Sequence, residues 1–113
     1  MVLDNYIEQE INGKKYKLCL SNMAIFQAER ELASGKLLVT LADPPLSMGD
    51  LFALFKWSII GGGEKVDDEK ALELFLQLNS EIGAIAVFNI ILETLQKAEI
   101  LGKNPNKAAK KKA

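Results

Sequence analysis

Three places in this 113-residue chain hold residue types that could carry chemistry. The first is Asp67-Asp68-Glu69, where clustered carboxylates could do acid–base work. They stand at the expected start of a helix, so capping and the helix dipole account for them. The second is Gly61-Gly62-Gly63-Glu64-Lys65, which looks like a phosphate loop. It lacks the Gly-Lys-Ser/Thr ending and follows a helix instead of a strand, so it reads as a flexible interhelix loop. The third is Cys19, a nucleophile only as its thiolate. The chain has no histidine to activate it, and Cys19 reads as an inert small residue. Missing histidine also removes the commonest metal ligand. A single cysteine allows neither an internal disulfide nor a cysteine zinc cluster. The serines and threonines have no base beside them. The expectation is a protein that is not an enzyme and needs no cofactor and no metal.

The elements that position these residues form one domain, residues 1–102, with 103–113 as a basic flexible tail. An apolar share of 49% and a charged share of 26% allow a core and argue against wholesale disorder. The net charge of −1 conceals a split. Up to residue 102 there are nine basic residues against all fifteen acidic ones; the tail holds Lys103, Lys107, Lys110, Lys111 and Lys112 and no acid. The acidic body shows no basic helix face, so no nucleic-acid partner is expected. The tail reads as a solvated extension that could steer toward an acidic partner. The longest strongly apolar run, Ile82 to Leu92, is half the ~20 residues of a membrane span. The N-terminus carries Asp4, Glu8 and Glu10 with no basic segment ahead of an apolar one. A cytosolic protein is expected, with no membrane partner.

Asn12-Gly13 predicts a two-residue type I′ turn between strands at Tyr6–Ile11 and Lys14–Leu20. The register then sets Glu10 opposite Lys15 and Glu8 opposite Lys17 on one face. Ile7 meets Leu18 and Gln9 meets Tyr16 on the other, which must lie on a core. Cys19 falls on the charged side, near Tyr6.

Four helices follow. Ser21 or Asn22 caps the first, which runs to about Leu32 with Ile25, Ala28 and Leu32 on one stripe, and Gly35 stops it. Lys36–Leu46 is a connector with an apolar patch, Leu37–Leu41, and no helix passes Pro44-Pro45. Ser47 with Asp50 opens a second helix, Met48 to about Ile60. Asp67 or Asp68 caps a third, reaching about Leu78. A break near Asn79, Ser80 and Gly83 precedes a fourth, up to Leu101. The fold class is mainly α, with a β-hairpin packed on a bundle of about four helices.

The helical faces carry more apolar surface than a core needs. On the second helix Leu51, Phe52, Leu54, Phe55 and Ile59 form a core arc, and Gly49, Asp50 and Lys56 mark the solvent side. Trp57 and Ile60 fall on that solvent side. The third helix is apolar over more than half its girth, through Ala71, Leu72, Leu74, Phe75, Leu76 and Leu78. On the fourth, Ala84, Val87, Phe88, Ile91 and Leu95 form the core arc, and Ile85 and Leu92 extend beyond it. Trp57, Ile60, Ile85 and Leu92 are the expected partner-binding or self-assembly residues.

This order of elements resembles a known family. The residues that carry the likeness are the Ile11-Asn-Gly-Lys-Lys-Tyr-Lys-Leu18 hairpin, the helix ending Ala28-Glu-Arg-Glu-Leu-Ala-Ser-Gly35, and the stretch Leu46-Ser-Met-Gly-Asp-Leu-Phe-Ala-Leu-Phe-Lys-Trp-Ser-Ile-Ile-Gly-Gly-Gly63. An acid-started helix then leads to a long apolar one. Over most of residues 6–101 the chain is similar to the tail assembly chaperones of long-tailed bacteriophages and prophages, including those of gene-transfer-agent type. The short stretch between Gly35 and Pro44 departs from the pattern and leaves that loop's role open.

The resemblance implies a non-enzymatic factor that binds the tape measure protein and keeps it soluble while tail tube subunits polymerise around it. It implies self-association, contact with the tail tube protein, a place in the host cytoplasm and absence from the finished virion. It also implies a longer product made by ribosomal frameshifting, for which the lysine-rich end would be the slippery site. The alternative is a small helical adaptor or regulatory protein of a phage or prophage.

Overall fold

The computed structural model describes residues 5–42 and 46–98. Two strands, β1 (Ile7–Ile11) and β2 (Lys14–Leu18), precede five helices: α1 (Asn22–Glu31), α2 (Leu37–Leu41), α3 (Met48–Gly61), α4 (Asp68–Ile82) and α5 (Ala84–Lys97). The predicted hairpin register is the observed one, with Glu8 opposite Lys17 and Glu10 opposite Lys15. Asn12 and Gly13 both take positive φ, 52° and 84°, as a type I′ turn demands. Ile11, Tyr16 and Leu18 are buried beneath the hairpin while the charged face stays exposed. The Asn12 amide donates to the Glu81 carboxylate at 2.9 Å, so the turn is clamped to the end of α4.

The predicted caps form. Ser21 Oγ accepts the Ala24 amide, Ser47 Oγ the Asp50 amide, and the Asp67 carboxylate the Lys70 amide. Each satisfies an amide that the first helical turn leaves without a partner. Gly35 at φ 69° closes the chain after α1.

α3 is the axis of the fold. It packs against α1, α4, α5 and β2. Leu51, Ala53, Leu54, Phe55, Lys56, Ser58 and Ile59 are all buried. A helix apolar nearly all round belongs inside, and this one is covered on most sides. Phe75 of α4 stacks tilted on Phe52 and Phe55, with ring centroids 5.4 and 5.5 Å apart. Val87, Ile91 and Leu95 are the buried stripe of α5.

The structure corrects the sequence reading in several places. The connector contains a fifth helix, α2, whose first amide, Leu37, donates to the Glu29 carboxylate at 2.9 Å. A side chain eight residues upstream supplies that cap, so no local signal announces it. α4 runs on to Ile82 and breaks only at Gly83, where α4 and α5 meet at 114°. Gly83 sits at φ 88°, a conformation open to glycine and costly for other residues. On the side of α3 read as solvent-facing, Gly49 is exposed as expected but Asp50 and Lys56 are buried. Ala84, placed on the core arc, is exposed.

The loop Gly61-Gly62-Gly63 is no slack linker. A Cβ at Gly61 would fall inside the contact shell of the Cys19 carbonyl oxygen, and one at Gly62 inside that of Lys17. The end of α3 lies directly on the β2 backbone, and the Cys19 amide donates to the Ser58 carbonyl at 2.9 Å. Pro44-Pro45, residues 99–101 and the tail lysines lie outside the described residues, as does the predicted extension of the last helix to Leu101.

Candidate functional site

No catalytic constellation gathers around the three places where chemistry was conceivable. Asp67 caps α4. Asp68 bonds the Lys56 ammonium at 3.1 Å. Cys19 is buried beside α3, and burial pushes its thiol up, against a smaller opposite pull from the Ser21 backbone. A protonated, enclosed thiol is a poor nucleophile. Among the described residues no three potential metal ligands come together. A small cleft of about 220 Å³ lies between Ala33, Ser34, Thr40, Leu46 and Asp50. Its polar groups are already joined: Ser34 and Thr40 hydroxyls lie 2.8 Å apart, and Asp50 Oδ1 accepts the Ala33 amide at 2.9 Å.

One polar cluster ties three helices together. Lys56 Nζ donates to Glu31 at 2.6 Å and to Asp68 at 3.1 Å, linking α3 to α1 and α4. The neighbouring Trp57 indole N–H donates to the other Glu31 oxygen at 2.9 Å. The ammonium also stands 5.1 Å from the centre of the Trp57 ring. Burial alone would lower the Lys56 pKa, but its bonds to Glu31 and Asp68 prevail and hold it above the ordinary lysine value. All four groups are used inside the fold, so the cluster is a structural tie.

Of the four residues expected to bind a partner, Ile85 is the most exposed, at 79%. Trp57, Ile60 and Leu92 are half-buried, and Trp57 packs on the core and bonds Glu31 instead of projecting into solvent. The sequence reading missed Met23 and Phe26 on α1 and Met48 at the start of α3, and noted Leu38 and Val39 of α2 only as part of an apolar patch in a connector; all five are exposed. The spacing of Met23 and Phe26, three apart on one helix, was the available signal. Leu72 and Leu76, within the apolar surplus noted for α4, are also exposed. Exposed apolar side chains thus stand on all five helices. Among the described residues no single helix is long and apolar enough to cross a membrane.

These features define a small, mainly helical protein with apolar side chains exposed on every helix. The chain belongs to the family described as phage tail tube protein, GTA-gp10, whose model matches residues 5–98. No curated protein and no solved structure matches it. The family match upholds the relation to phage tails and overturns the expected function. The family is described as a tail tube protein, a structural component, and the reading as a tape measure chaperone is corrected accordingly.

Proposed function

We infer that the protein is a non-enzymatic structural subunit of a phage or phage-derived tail, working through contacts with copies of itself and with neighbouring tail proteins. The family match over residues 5–98 carries this reading, since it spans nearly the whole described body. The distribution of surface supports it. A subunit in a tube touches neighbours on more than one side, through heterologous contacts that close into rings or continue as filaments. Exposed apolar residues on five separate helices suit that need better than a single groove would.

The reading predicts assembly in the host cytoplasm and retention in the finished particle, opposite to the absence that the chaperone resemblance implied. Immunogold labelling of purified particles tests it. Labels along the tail are expected. Particles that bear tails yet bind no antibody would sink the proposal.

A further inference from the structure

The outward face of α4 is unusual in what it places side by side. Leu72 and Leu76, one turn apart, are 44% and 56% exposed. Glu69 and Glu73 are exposed beside them and share the same spacing. Like charges four apart on a helix repel, and neither glutamate makes an ion pair among the described residues. The other exposed acids mostly have company. Glu8 and Glu10 face lysines across the hairpin, Glu64 lies 4.0 Å from Lys14, and Glu81 binds Asn12. Lys70 is the one basic residue within α4.

The chain itself holds the complement. Residues 103–113 carry five lysines and no acid. Lys110, Lys111 and Lys112 follow Ala98 by twelve to fourteen residues, enough chain to span roughly 40 Å when extended. Ala98 follows α5, which joins α4 through the bend at Gly83. At about 1.5 Å per helical residue the two bent helices set Ala98 less than about 40 Å from Glu69 and Glu73, so these lysines can reach α4 of their own chain. Tethering raises the local concentration of such a segment to the millimolar range, which favours contact within one chain over contact between dilute copies.

We propose that the lysine-rich end docks on the outward face of α4 in the same chain, with its ammonium groups on Glu69 and Glu73 and its alkyl stems over Leu72 and Leu76. Lysine stems cover apolar surface while the charged heads stay in water. The docking stands independently of the tail-subunit reading, because it concerns the isolated chain.

Zero-length carbodiimide crosslinking of the full chain, read by peptide mass spectrometry, tests the contact. Crosslinks from Lys110, Lys111 and Lys112 to Glu69 and Glu73 are expected in the monomer band. Their yield should fall about fivefold or more near 1 M salt, where the Debye length is about 3 Å. Replacing all five tail lysines by glutamine should raise the binding of a hydrophobic dye about twofold, and adding Leu72→Gln and Leu76→Gln should abolish that rise. Crosslinks spread equally over Glu8, Glu10 and Glu93, crosslinks confined to a dimer band, or a yield indifferent to salt would each overturn the proposal.

Discussion

The Lys56 ammonium is the most consequential single group in the molecule. It is 5% exposed, and a buried charge is tolerated only when its donors are satisfied. Glu31 is the closer of its two carboxylate partners and also holds the Trp57 indole. Glu31→Gln should therefore cost about 1–3 kcal/mol, the range for leaving a buried donor underused. Thermal denaturation at neutral pH checks it, with Trp57 fluorescence shifting in the native state. The Lys56 pKa is raised on folding above its ordinary value of 10.5. The charged form therefore stabilises the fold fully below that value and ceases to do so as pH rises through the elevated one. A melting profile should bend downward only in strongly alkaline buffer, and Lys56→Met should remove that bend. The cluster was not legible in the sequence. Helical geometry alone put Lys56 and Asp50 toward water, because nothing local reveals that α1 covers that side of α3.

At the scale of elements, the glycines between α3 and α4 decide how the hairpin meets the helices. Gly61 and Gly62 let the end of α3 touch the β2 backbone, where a methyl group would collide with the carbonyls of Cys19 and Lys17. Those obstacles are main chain and cannot swing aside. Gly61→Ala should destabilise the protein by about 3 kcal/mol, at the upper end of the usual cost of overpacking. A melting temperature lowered by ten degrees or more would agree; an unchanged one would show that the hairpin can retreat. Local chemistry made the rest of the frame readable. The Asn12-Gly13 turn, its cross-strand charges, and the caps Ser21, Ser47 and Asp67 all depend on neighbours a few residues away. What failed to show depends on distant partners: the Glu29 cap of α2, the Glu81 clamp on the turn, and the close approach at Gly61.

At the scale of the whole molecule, apolar surface left over after folding is the feature on which the proposed role rests. The sequence showed that the helices carry more of it than one core consumes, but it misplaced much of the surplus. Ile85 projects as expected, whereas Trp57 turns inward to Glu31 and Phe26 on α1 takes up the exposed role. Such errors are inherent in a wheel drawn for one helix, which shows its apolar arc but not which neighbours cover it. The resemblance to phage tail proteins held at the level of the tail and failed at the level of the task, because soft hydrophobic spacing does not separate a subunit from a factor that attends it. The proposed role requires that this chain be built into the tail. Quantitative mass spectrometry of purified, nuclease-treated particles tests it most directly. Peptides from residues 5–98 are expected in many copies per particle, co-sedimenting with isolated tails. Peptides abundant in the infected-cell lysate but missing from the particles would contradict it.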